Sequence, residues 1–182
     1  MKVWHNTFTL SSKQFICGYC GSLIASSVGF RTDNNSGWIY ICTHCKEPNY
    51  FDEDRSIRIP NEKYGSEVDG VTDKDLYSLY NETRNCYQNS CYNASIMISR
   101  KIISHIAVVE GADEKKNFQY YIDYLDSKGF IPPNGKPWVD QIRIIGNEAN
   151  HEISLKTQEE CKKLIKFIEM LLKFIFEFPS MI

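Results

Sequence analysis

Four of the chain's seven cysteines stand as two pairs, Cys17-Gly-Tyr-Cys20 and Cys42-Thr-His-Cys45, with 21 residues between them. Two residues between thiolates let a tight turn aim both sulfurs at one ion. Two such turns flanking a hairpin-length insert make a closed tetrathiolate site. The spacing therefore predicts one structural Zn²⁺ held by Cys17, Cys20, Cys42 and Cys45, with no open position for catalysis. His44 lies inside the second turn and is read as a bystander. Gly18 and Gly21 relax the backbone of the first turn.

A second set of residues could do different chemistry. Arg143, Asn147 and His151 are each four apart, so on a continuous helix they line one face. An imidazole, a fixed positive charge and an amide suit binding or cleaving a phosphodiester. The histidine would act as acid or base, the arginine would stabilise the phosphorane and the amide would orient it. Such chemistry needs no metal when a ribose 2′-hydroxyl is the nucleophile. The same residues also have a purely structural reading. Asn147 and His151 can cap a helix end. Arg143 can pair with Glu148 or a carboxylate of another helix, and Gly146 can let another backbone approach closely.

The elements that must position these groups follow from periodicity and turn residues. The insert between the cysteine pairs reads as strands over Leu23–Phe30 and Trp38–Ile41, joined by the turn cluster Arg31–Gly37. Residues 1–50 form a zinc ribbon whose core is too small to fold without its metal. Residues 51–71 read as an acidic linker punctuated by Pro60, Gly65 and Gly70, with a short edge strand at 56–59. Residues 72–182 carry five helical patterns. The first opens on a Thr72/Asp75 capping box and the second stops at Gly111. The third stops at Gly129 and the fourth starts at Pro137. The fifth opens on a Thr157/Glu160 capping box and closes at Pro179. The predicted fold class is mainly α: a small N-terminal zinc-ribbon β module followed by a five-helix bundle. Cys86, Cys91 and Cys161 fall on or near apolar stripes and are expected as buried thiols.

Composition narrows the function classes. Hydrophobic residues are 42% and charged residues 24% of the chain, which excludes a disordered tail or a supercharged coat. The net charge of −2 supplies no global field toward nucleic acid, so any such contact must be local. Residues 1–50 carry a side-chain charge of +2, which four thiolates with one Zn²⁺ cancel. The apolar stretch Leu164–Phe178 is interrupted by Lys166, Glu169, Lys173 and Glu177, which is amphipathic core spacing and not a membrane span. No export signal is read at the N-terminus. Together with the cysteine usage, this predicts a reducing, cytoplasmic setting.

The order of cysteine turns, acidic segment, the Ala94…Arg100 helix, Gly129-Phe-Ile and the block Ile142-Arg143-x-x-Gly146-Asn147-x-x-x-His151 resembles a bacterial domain-of-unknown-function family. That family is found with restriction-type enzymes and in phage-linked loci. Its helical domain is similar to the HEPN superfamily. The resemblance implies a helical bundle, often homodimeric, and in active members a metal-independent ribonuclease of defence and toxin systems. The active motif is an Arg, a polar residue and, four to six residues on, a His. Asn147 and His151 match the latter two, but Gly146 occupies the place of the Arg. Seven residues lie between Arg143 and His151, one more than the pattern permits, and Arg100 is the other candidate cation. The expected function is a zinc-containing helical binding module of phage–host conflict, in defence or counter-defence. It would recognise RNA, another nucleic acid or a protein partner. The alternative is a HEPN-like endoribonuclease using His151 and Arg143, with Asn147 orienting.

Overall fold

The computed structural model describes residues 2–53, 57–148 and 155–182. The chain divides into two compact units, Met1–Lys63 and Tyr64–Ile182.

The first unit is a five-stranded antiparallel meander in sequence order: β1 (Phe8–Ile16), β2 (Leu23–Arg31), β3 (Gly37–Ile41), β4 (Pro48–Asp52) and β5 (Arg58–Ile59). The two strands read from the insert are β2 and β3. Thr32 Oγ1 accepts from the backbone N–H of Ser36 at 2.9 Å and of Gly37 at 3.0 Å, which closes the turn between them. β1 and β4 have no counterpart in the sequence reading. β1 is an edge strand with only Phe15 buried, and β4 turns the polar Asn49 inward beside Phe51. Both features blur the apolar alternation that marks a strand. The core is small: Phe15, Ile24, Tyr40 and Phe51, with Cys17 and Cys42. The Phe51 ring packs edge-on to Phe15 at 5.2 Å and to Tyr40 at 5.9 Å.

The second unit is a helical bundle: α1 (Lys74–Gln88), α2 (Tyr92–Val109), α3 (Phe118–Ser127), α4 (Lys136–Glu148) and α5 (Gln158–Leu172). α2 is central and touches the other four. Its Ser95 and Ser99 are fully buried, and Ser95 Oγ donates to Thr83 O of α1 at 2.9 Å. These small residues allow the two helices to approach closely. Ile102, Ile103, Ile106, Ile122, Leu125, Ile142, Leu164, Ile165 and Ile168 fill the interior between the helices. Gly111 and Gly129 adopt φ values of +100° and +79°, as helix stops require. The Thr157/Glu160 capping box is formed in both directions. At α1 the capping residue is Asp73 and not Thr72. Its carboxylate accepts from the N–H groups of Asp75 and Leu76 and also meets His105 of α2.

The acidic segment is structured on both sides of the unit boundary, with strand residues at 51–52 and 58–59. Residues 64–71 are strapped to α1 and α5. Arg84 donates to Tyr64 O at 3.0 Å, Gly65 O at 2.8 Å and Glu67 Oε1 at 2.7 Å. Tyr80 donates from its hydroxyl to Ser66 O at 2.9 Å, and Glu169 accepts the Ser66 N–H at 3.1 Å. The charges that interrupt the last helix are thus partly committed to holding this strap. Of the three other cysteines, only Cys161 is buried, correcting the expectation for the remaining two. Cys86 is half-buried, and Cys91 is exposed at the start of α2. No helix among the described residues is long and apolar enough to cross a membrane.

Candidate metal centre and polar stripe

Cys17 and Cys20 lie between β1 and β2, and Cys42 and Cys45 between β3 and β4. The two connections fold as the same turn. The N–H of Cys17 donates to Ser22 O, and that of Gly21 to Cys17 O, both at 2.9 Å. In the second turn Cys42 N–H donates to Glu47 O at 2.9 Å and Lys46 N–H to Cys42 O at 3.1 Å. The residue after each pair adopts a left-handed backbone: Gly21 at φ +70° and Lys46 at φ +64°. Glycine suits this position and lysine is strained there. Replacing Lys46 by glycine is therefore expected to stabilise the metal-loaded first unit by roughly 0.5–1 kcal/mol, read as a rise in its thermal midpoint. Gly18 has a different reason from Gly21. A Cβ there would lie 2.5 Å from Pro60 O and 2.7 Å from Asn61 O, so a close approach of chain, and not the turn itself, requires it.

All four sulfurs lie within 4.8 Å of one another. Cys17–Cys45 and Cys20–Cys42 are 3.7 and 3.8 Å apart. A tetrahedron with metal–sulfur bonds of about 2.3 Å has edges of about 3.8 Å. The cluster could coordinate a metal ion with little rearrangement, and four soft thiolate donors suit zinc or iron. Cys17 and Cys42 are fully buried, whereas Cys20 and Cys45 reach the surface. Burial and hydrogen bonds shared with the other three thiols push Cys45 up to about 12. Burial opposes ionisation of Cys20, but hydrogen bonds from Ser22, His44 and Cys45 bring it down to about 6. A cation is what allows every sulfur of such a group to be a thiolate together. His44 is a hydrogen-bond partner and lies outside the four-sulfur group.

Sequence reasoning missed Asn49. Fully buried on β4, it donates from Nδ2 to Cys17 Sγ at 3.4 Å and accepts the Gly18 N–H on Oδ1 at 2.9 Å. It fixes the first turn from behind and places a donor on a sulfur of the four-cysteine group. Its polarity inside a strand of aromatic neighbours was the available signal.

The polar stripe is only partly described. His151 lies outside the described residues. Asn147 is in the last turn of α4, four residues after Arg143. Arg143 is held between two carboxylates: it donates to Asp140 of its own helix at 2.5 Å and pairs with Asp123 of α3. Its guanidinium is therefore already neutralised. Gly146 is buried against the Phe118 ring, and a Cβ there would stand 2.6 Å from Phe118 Cδ1. The position where the HEPN pattern places an arginine thus has no room for a side chain. Gly146→Ala gains helix propensity but overpacks this contact. It is expected to destabilise the bundle by roughly 1–3 kcal/mol in urea denaturation. The Arg100 guanidinium lies 4.7 Å from the centre of the same Phe118 ring, and its Nη1 is buried without a hydrogen-bond partner. Arg100 has no ion-pair partner among the described residues.

Fold and site together define a class: a β unit with a four-cysteine cluster that could hold a metal ion, followed by an α-helical bundle. The family model described as Domain of unknown function (DUF4145) matches residues 81–181, more than half the chain, and the chain belongs to that family. No curated protein and no solved structure matches it.

Proposed function

We propose that this chain is a recognition protein, with a zinc ribbon as its N-terminal unit and a HEPN-like bundle as its second, and that it binds nucleic acid without cleaving it. The observation that carries this reading is the double ion pair of Arg143. An arginine that stabilises developing phosphorane charge must be free to meet it, and this one is neutralised by Asp123 and Asp140. The structural metal would be Zn²⁺, held by Cys17, Cys20, Cys42 and Cys45, and it would supply a cross-link between the two turns. The resemblance to HEPN-type proteins supports a homodimer acting in phage–host conflict. The test is nucleic-acid affinity of the zinc-loaded protein as a function of salt. A steep, linear fall of log affinity with log salt is expected. No affinity at low salt, together with a protein that co-purifies in fixed proportion, would replace nucleic acid by a protein partner.

A second reading, a metal-independent endoribonuclease, is favoured by Arg100. Its guanidinium, without an ion-pair partner among the described residues, shares the Phe118 ring with Gly146 and could supply the charge that Arg143 cannot. His151 would then act as acid or base, Asn147 would orient the phosphodiester, and Arg143 would hold α3 to α4.

A further inference from the structure

A trough of about 620 Å³ lies on the sheet of the first unit, a size typical of small-molecule sites. Its lining includes Trp38, Tyr40, Phe51, Lys13 and Arg31. The strand register explains why aromatic and cationic groups meet here. Arg31 pairs with Trp38, Trp38 with Phe51, and Phe51 with Arg58. Directly paired residues share a face, so a row of cation, aromatic, aromatic and cation crosses four strands. The Lys13 ammonium lies 4.5 Å from the Phe51 ring centre, and the Arg58 guanidinium lies 5.6 Å from it. Arg58 Nε and Nη2 have no hydrogen-bond partner among the described residues.

The wall of the trough is an irregularity in β1. Residues 10–12 have no register partners on β2. The Tyr40 hydroxyl donates to Ser11 O at 3.1 Å, which ties this arch to the sheet face. Ser11, Ser12 and Gln14 add hydrogen-bonding groups along it, and Glu53 is the one carboxylate among the described lining residues. Aromatic faces beside cations, with hydroxyl and amide groups at one wall, match an unpaired nucleotide. A base can stack on the exposed part of the aromatic floor while its phosphates meet the cations. A duplex keeps its base faces stacked internally and cannot use that floor.

We propose that this trough seats a single-stranded stretch of nucleic acid, with one base stacked on Trp38 and the flanking phosphates against Arg31 and Lys13. The proposal rests on the nucleic-acid reading above and gives it an address. It is tested with the full zinc-loaded chain and short fluorescein-labelled oligouridylate, oligothymidylate and duplex probes, read by anisotropy. The two single-stranded arms separate RNA from DNA as the ligand, and both should bind more tightly than the duplex. Trp38→Leu is expected to weaken binding roughly tenfold or more. Arg31 is exposed, with one described hydrogen bond, to Asn35, so Arg31→Ala tests the trough without threatening the fold. It should weaken binding roughly three- to tenfold and reduce the salt slope by about one. Lys163→Ala, exposed on α5, should leave affinity unchanged. Wild-type binding that neither Trp38→Leu nor Arg31→Ala alters would overturn the trough while leaving the nucleic-acid reading in place. Absence of binding by the wild-type protein to any probe would overturn both.

Discussion

Chelating the metal proposed for the four-cysteine cluster is expected to melt the N-terminal unit and leave the helical unit folded. The first unit's hydrophobic core consists of four side chains besides its cysteines, too little to offset the entropy of ordering some sixty residues. Metal binding to tetrathiolate fingers is worth about 10–16 kcal/mol apparent, and here that energy would be folding energy. Without the ion, four thiols within 4.8 Å cannot all ionise, and the two turns lose their cross-link. The helical unit has its own core, and the four cysteines of the cluster all belong to the first unit. A chelator titration followed by far-ultraviolet circular dichroism should remove the strand signal and retain the helical signal. Reloading with cobalt(II) should restore the sheet and give the intense visible absorption of a tetrahedral thiolate site. A sheet that persists while all four thiols react freely with a thiol reagent would show that the metal is not what holds it.

The second large effect is expected at Arg84. Buried to 4% exposure, it anchors Tyr64, Gly65 and Glu67 to α1 and lies over the Tyr80 ring. Arg84→Ala would leave the Tyr64 and Gly65 carbonyls without these donors and release the strap from α1. Glu67 is itself exposed, so the cost lies in the two carbonyls left without their donor, about 1–3 kcal/mol each. That is a large share of a domain's stability of about 5–15 kcal/mol. The expected loss in thermal midpoint is roughly 10–20 °C. Arg84→Lys should recover only part of it, because an ammonium cannot span the fork of acceptors.

The other end of the strap gives this a pH dependence. Burial acts to raise the Glu169 pKa. Its bonds to Lys166, the Ser66 N–H and Lys173 outweigh that and hold it below the ordinary 4.5. A depressed carboxylate contributes stability above its unfolded value and loses it as pH falls through its folded value. The helical unit should therefore weaken below about pH 4.5, and Glu169→Gln should flatten that acid limb.

The parts of this account legible in the sequence are those whose chemistry is local. The cysteine spacing is itself the geometry of the cluster, and the bundle's helices show their 3.6-residue period and their Gly111, Gly129 and Glu160 boundaries. What was illegible depends on contacts between distant segments. β1 is polar because it is an edge, and β4 hides its alternation by turning Asn49 toward a cysteine sulfur. Thr72 and Asp73 are both good caps. The choice falls to Asp73, whose carboxylate reaches the Asp75 and Leu76 N–H groups and His105 together. The structural reading of Arg143, a pair with a carboxylate of another helix, is the arrangement found, but spacing along one helix could not name Asp123 as the partner. Gly146 did signal a close approach, but the neighbour is the Phe118 ring and not a backbone.

The central claim, recognition without cleavage, is tested most directly by incubating zinc-loaded protein with tRNA, ribosomal RNA and single-stranded RNA. Metal content is measured on the same preparation. His151→Ala and Arg143→Ala are run beside the wild type. The result expected is intact RNA in every lane, with RNA bound at low salt by all three proteins. Cleavage by the wild type that disappears in folded His151→Ala would contradict the account and make the bundle a ribonuclease.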